Sequence, residues 1–385
     1  MRAGKKIAAM VLAGMISLST VYPAFAVEKP EGMDETTWAR LQDGTIEYDE
    51  IENLVLYFNP SYRQGIEQMD AATGIQDMER SSSDLKKEIK NIKDEAEIAK
   101  DENNELLYTY NTILANTLEK QVLKPINSGI KIINSQKKET FQTVRRQLTS
   151  AIQQMMIAYH MILASKELTD TGVELADAAY QSTITQRNLG MATDTAVQNA
   201  EKALVAAREQ QQSANNNLLG LRQNLSIMTG GSYDTPVEIG MIPAPDLERI
   251  GTMNPEVDID QAITYNSDVQ SAIHMDERGQ AQHDQKYLTL EESKGKLKTT
   301  LEALYQKVLE SKTSYEAAQT AFESARITMN GNDLKMQMGM LGRLEYLQAK
   351  LGYLQQKMAY DMAVLSLRQA IENYEWALYG VVNID

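Results

Sequence analysis

The side chains best able to do catalysis or hold a metal near neutral pH are three histidines, at 160, 274 and 283. His274 and His283 are nine residues apart, a spacing that does not share a helix face well, and no histidine pair has metal-ligand spacing. There is no Gly-rich phosphate loop ending in Lys-Ser/Thr, no Gly-x-Ser-x-Gly turn and no His-Glu-x-x-His. Carboxylates are plentiful, but a run such as KDEAEIAKDENNE (93–105) reads as a solvated helix face rather than an acid–base pair. Cysteine is absent, so disulfides and thiolate metal sites are excluded. No catalytic residue, metal site or cofactor is assigned, and the chain is not expected to be an enzyme.

The net charge of −15 opposes nucleic-acid binding, and it argues against a basic amphipathic helix lying on anionic lipid. Residues 1–26 have the pattern of a secretory signal: basic Arg2, Lys5 and Lys6, a mostly apolar Ile7–Val21 run, and small residues ending at Ala26. Its removal would take the net charge to −18. No Cys follows to carry a lipid, and no later apolar run is long enough for a transmembrane helix. The mature protein is expected to be exported.

Chemistry of another kind rests on two glycines. LGMATDTAVQNAEKALVAA begins at Leu189 and MGMLGRLEYLQAKLGYLQQ at Met338. Each places a Gly-Met pair before long proline-free sequence. Gly190 and Gly339 each fit the left-handed position that ends one helix. Thr193 or Asp194 can cap the helix that follows the first, while the second offers Gly342 and, in its first turn, Glu345. Each turn then forms the tip of a helical hairpin, both at one end of the molecule.

The elements that carry these tips are legible in the proline map. The eight prolines fall at 23, 30, 60, 125, 236, 243, 245 and 255, leaving two long free stretches rich in Ala, Leu, Gln, Glu, Lys and Met. With 6% aromatics and no alternating runs, the chain reads as all-α. A seam of alternating three- and four-residue steps runs through Val197, Ala200, Leu204, Ala207, Gln211, Ala214, Leu218, Leu221, Leu225 and Met228. The second copy repeats it through Tyr346, Ala349, Tyr353, Gln356, Tyr360, Ala363, Leu367, Ala370, Tyr374 and Ala377. A further stripe, Leu344, Leu347, Leu351, Leu354, Met358, Met362 and Leu365, predicts a helix with neighbours on two sides. The tyrosines are read as packing. Met336, Met338 and Met340 fit either a soft docking surface or ordinary tip packing.

IENLVLYFNPSYRQG (51–65) resembles DIDQAITYNSDVQSA (258–272), a short helix leading through Asn to another, so both halves begin as well as end alike. The expected organisation is a signal peptide at 1–26, a first helical repeat at 27–231, a linker at 232–255 and a second repeat at 256–385. Four prolines and four glycines between Thr229 and Pro255 mark the linker as irregular.

The stretch RNLGMATDTAVQNAEKALVAAREQQQSANNNLLGLRQNLSIMTGG (187–231) resembles the tip and descending helix of TolC-like outer-membrane efflux proteins. The family pattern is a Gly, a polar turn, Asp-Val-x-x-Ala and Leu-x-x-x-x-Gly, here Gly190, Ala196-Val197, Ala200, Leu225 and Gly230, with Ala196 in place of the usual Asp. Gly339, Glu345, Leu347 and Ala349 look like the second tip. The resemblance implies long antiparallel coiled-coil hairpins forming the protomer of an α-barrel. It also implies a homotrimer whose tips dock a membrane-fusion-type adaptor protein of an inner-membrane pump, for efflux or export. On this reading Gly190, Thr193, Asp194, Gly339, Gly342 and Leu344 shape the docking tips, and Glu345 and Gln348 occupy the channel entrance, Gln348 in a place usually acidic. Three copies of Glu345 would form a cation-favouring ring.

One departure matters. Family members insert two strands per repeat, but 101–140 shows a turn at KPINSG (124–129) and no alternating strands, and 273–300 offers only KYLTL. A barrel-less, strand-poor relative is expected, in the outer membrane or periplasm by resemblance, or at an extracytoplasmic surface where no outer membrane exists. Membrane contact is left open, as is the alternative of an elongated helical scaffold or spacer without a channel.

Overall fold

The computed structural model describes residues 28–101, 104–234, 237–275 and 279–382, so the signal at 1–26 lies outside the described residues. In chain order the elements are α1 (Glu35–Arg40), β1 (Thr45–Ile46), a 3-10 turn (Tyr48–Glu50), α2 (Ile51–Phe58), α3 (Pro60–Thr73) and α4 (Ile75–Asp101). There follow α5 (Glu105–Leu118), a π turn (Glu119–Leu123), the 65-residue α6 (Lys124–Asn188), the 35-residue α7 (Asp194–Met228) and β2 (Glu238–Ile239). The chain ends with α8 (Leu247–Thr252), α9 (Pro255–Tyr265), α10 (Ser267–Ile273), the 58-residue α11 (Gln280–Gln337) and the 36-residue α12 (Arg343–Leu378). The all-α expectation holds; among the described residues the strands are β1 and β2, two residues each. Among the described residues no helix is long and apolar enough to cross a membrane.

The chain divides into two compact units, Val55–Arg145 and the remainder, with the divisions inside α2 and α6. In the first unit α3 and α4 run up and α5, the π turn and the start of α6 run back. Tyr62 meets Phe141 edge-on at 5.6 Å, Ser82 donates to Asn127 (2.7 Å) and Lys93 pairs with Glu119 (2.7 Å), an antiparallel register throughout. Ile89, Ala115 and Leu123 form its core. Here the structure corrects one expectation: KPINSG is the first turn of α6, not a reverse turn. Pro125 lacks an N–H and its ring crowds the carbonyl four residues back; the π turn immediately before it widens the ladder at that point, and the helix continues. KYLTL lies within α11. The acidic run 93–101 is a solvated face, with only Ala96 and Ala99 turned inward.

The second unit holds both tips. Gln211 of α7 donates to Asp170 of α6 (2.7 Å), Arg208 faces Asp177 (3.9 Å) and Arg187 pairs with Asp194 (2.7 Å). These pairs set α6 and α7 antiparallel. Tyr346 reaches Asp333 (2.9 Å), Phe322 stacks on Tyr360 at 5.2 Å, and Tyr305 lies 6.2 Å from Tyr374, which sets α11 and α12 antiparallel. A third register joins the hairpins: Lys357 pairs with Glu167 (2.9 Å), and the Trp376 indole donates to Gln153 (2.7 Å). The order across this layer is α7, α6, α12, α11.

Burial follows that order. All ten positions of the α7 seam are buried or half-buried, while most flanking positions are exposed. On α12 the tyrosine seam is covered except at Gln356, and the whole Leu344–Leu365 stripe is covered as well. A helix with two covered stripes has two neighbours, here α6 and α11. At the end away from the tips, α9 and α10 add Ala262 and Val269 to a core with Leu297, Leu301, Leu367 and Ile371.

The repeated Asn is a helix cap in both copies. Asn59 accepts from the Tyr62 amide (2.8 Å), and Asn266 from the Asp268 and Val269 amides (3.1 Å each). The linker is not wholly irregular: it forms α8, and β2 pairs in parallel with β1 of the N-terminal segment. That segment buries Trp38, Leu41 and Ile46, and the Tyr48 ring lies 5.2 Å from the Arg368 guanidinium. Burial raises the pKa of both the Tyr48 phenol and the Glu372 carboxyl beside it.

Candidate functional site

The two tips are built by the same backbone device. Gly190 has φ +74° and Gly339 has φ +71°. The Gly190 amide donates to the Arg187 carbonyl (2.9 Å) and the Met191 amide to Gln186 (2.8 Å). At the second tip, Gly339 donates to Met336 (3.0 Å) and Met340 to Lys335 (2.8 Å). This paired pattern is the Schellman ending, which needs a left-handed residue and so selects glycine.

The caps that follow differ. The Thr193 hydroxyl accepts from the Ala196 amide (3.2 Å), and Asp194 opens α7 while accepting from Arg187 across the turn. Gly342 takes the cap position of α12 with extended backbone (φ −71°, ψ 152°) and offers no side-chain bond. Glu345, in the first turn, lies where the helix dipole favours negative charge. The second tip is braced by Tyr346, whose pKa is raised first by the hydrogen bond to Asp333 and then by burial.

Because α6 and α12 run antiparallel in register, the end of α6 and the start of α12 stand at one end of the layer. Gly190, Thr193, Asp194, Gly339, Gly342 and Leu344 therefore gather there, with Leu344 half-buried. Glu345 and Gln348 are exposed, about one turn apart on the same side of α12.

Sequence reasoning missed two residues of this end. Leu189 and Met191 are exposed, Met191 at 76% and its counterpart Met340 at 70%. A Schellman turn ordinarily packs the residue after its glycine back onto the helix. Here both methionines turn away, and Leu334 and Met338 are exposed beside them. The signal was available in the shared Gly-Met pair. The result is an apolar, polarizable surface at the tips, with Arg187, Asp194 and Glu345 around it.

The histidines do not converge. His160 is half-buried with Nε2 2.8 Å from the Gly240 carbonyl, His274 bonds the carbonyl one turn back on its own helix, and His283 is exposed beside Asp284. Among the described residues no cluster of three metal-ligating His, Cys, Asp or Glu side chains exists. Tyr353, Tyr360 and Tyr374 pack against the aromatic rings of α11, as expected of structural residues.

No protein-family model matches the sequence, and no curated protein matches it either. Among solved structures, the chain is similar to a membrane protein from Pseudomonas aeruginosa, at 12% identity and TM-score 0.48, covering 94% of this chain and 97% of that one. It is also similar to the Campylobacter jejuni CmeC outer membrane channel (12%, 0.44, 95% and 94%) and the Vibrio cholerae outer membrane protein VceC (11%, 0.42, 66% and 76%). The architecture rests on the contacts above.

Proposed function

We propose that the protein is a TolC-like envelope component of an efflux or export system, assembling copies side by side into a helical conduit whose tips dock an adaptor. The supporting observation is the state of the layer's two edges. On α11, Thr313, Ala317, Thr320, Ser324, Ile327, Gly331 and Leu334 repeat at alternating four- and three-residue steps, about 200° round the helix from its covered seam. All are exposed and uncharged in a chain that is 24% charged. On α7 the exposed, uncharged stripe is Asn199, Ala203, Ala206, Gln210, Ser213 and Asn217, about 100° from that helix's seam.

Carried through the three antiparallel registers, Ser213 stands level with the turn containing Thr320 and Ser324. The two stripes therefore occupy the same height on opposite edges. A heterologous pairing of α7 from one copy with α11 of the next brings small residue against small residue and allows close helix approach, the arrangement a ring of copies requires. Three copies, an open centre and passage of cargo follow from the family resemblance, as do the adaptor and its pump. The soft, exposed tip surface suits docking of an apolar partner segment. Glu345 and Gln348, exposed near the tips, are assigned to the conduit's entrance.

The absence of cysteine makes the test clean. The Ser213→Cys/Ser324→Cys double variant, oxidised, should give covalent ladders ending at three copies, with light scattering reporting a trimer for the unmodified chain. A monomer with no intermolecular bond would leave the reading of an elongated scaffold without a channel.

A further inference from the structure

In the first unit, a cleft of about 380 Å³ lies between α3 and the start of α6, within the size range of small-ligand sites. Tyr62 and Phe141, both buried and set edge to face, form its apolar wall. Lys137, Lys138 and Arg145 line it together with the Asn134 amide. No carboxylate lines the cleft; Asp70 stands beside it and pairs with Lys137. Burial raises the Tyr62 pKa, so the phenol stays a neutral donor at physiological pH.

The charge here runs against the rest of the chain. Between Lys120 and Lys138 there are five lysines and no acidic residue, in a protein of net charge −15. The whole-chain balance, which argues against anionic partners, hides this segment. Lys120 on the π turn and Lys124, Lys131 and Lys138 on α6 are exposed, and Lys138 lines the cleft.

We infer that this cleft is a binding site for a small amphipathic anion, one with an aromatic ring carrying a carboxylate, sulfonate or phosphate. The ring packs against Tyr62 and Phe141, and the anionic group meets Lys138 and Arg145, with Asn134 as a further donor. A neutral ring of the same size lacks the charged contact. A simple inorganic anion lacks the apolar one.

Calorimetric titration of the full chain with 1-naphthalenesulfonate decides it. The expected result is one saturable site per chain, with a dissociation constant on the order of 1 mM or tighter. Binding should weaken when salt rises from about 0.05 to 0.5 M. Lys138→Gln and Arg145→Gln should each weaken it by about threefold to tenfold, and 1-naphthol should bind by about that factor less. Lys202→Gln on α7 should leave it unchanged. If Arg145→Gln loses helix content by circular dichroism, Lys138→Gln, at an exposed position, decides alone. Equal affinity for 1-naphthol, indifference to Lys138→Gln, or no saturable heat up to about 10 mM overturns the assignment.

Discussion

Gly190 and Gly339, at the tips of separate hairpins, share a positive φ within 3° and the same pair of amide-to-carbonyl bonds. A Cβ added at either would meet no atom within 4 Å, so a substitution there acts through backbone conformation alone. Gly190→Ala and Gly339→Ala should each lower stability by about 1 kcal/mol, and the double variant by about the sum. Chemical denaturation checks this. A loss well above that value would mean the turns are held by contacts beyond the backbone.

The caps at the two tips predict opposite responses. Thr193→Ala removes the acceptor of the Ala196 amide and should cost about 1 kcal/mol. Gly342→Ser supplies a hydroxyl where the second tip has none, and should gain a few tenths of a kcal/mol. The two midpoints should move in opposite directions from the parent.

Neighbouring positions on α7 separate core from surface. Leu204 is buried in the seam, and Leu204→Ala should cost about 2–4 kcal/mol. Val205, one residue on, is exposed, and Val205→Ala should stay within about 0.5 kcal/mol. Comparable losses at both would show that the unassociated chain is not the species being unfolded, since Val205 would then be buried against another copy.

The Tyr374 phenol is fully buried and donates to Asp258 (2.7 Å), and burial followed by that bond raises its pKa above the ordinary 10.0. A raised folded-state value means the stabilisation is complete below pH 10 and is lost as pH climbs toward the folded value. Tyr374→Phe should therefore cost about 1 kcal/mol at pH 7 and flatten the decline in thermal midpoint above pH 10. An unchanged alkaline slope would place the titrating group elsewhere, with Tyr48 the next choice.

Docking at the tips is tested by charge. Met340→Asp and Leu344→Asp should impair export and adaptor capture while helix content, read by circular dichroism, changes little. Gly190→Pro should do the same. Full export by all three would remove the tips from the working surface.

The helical architecture was legible because its stripes are local. Val197 to Met228 and Tyr346 to Ala377 repeat along single helices, and nineteen of those twenty positions are covered. Asn59, Asn266, Gly190 and Gly339 announced their boundaries through cap and turn chemistry. What escaped was either a permitted exception or a pairing across long sequence separations. Pro125 read as a break, yet the π turn before it widens the ladder and the helix continues through it. The bridge of Thr45–Ile46 with Glu238–Ile239 joins segments almost two hundred residues apart, and no local pattern of two residues announces a strand. The exposure of Met191 and Met340 depended on where the neighbouring helices stop. The lysine-lined cleft was masked because an overall charge averages away a short segment.

The helices that return from the tips, α7 and α12, differ by one residue in length, whereas those leading to them, α6 and α11, differ by seven. The returning pair is thus matched in reach, and the mismatch lies in the pair that leads to the tips. The near extremity keeps a common gauge, so whatever abuts it meets a level rim, and future growth or trimming at the opposite pole need not tilt that plane.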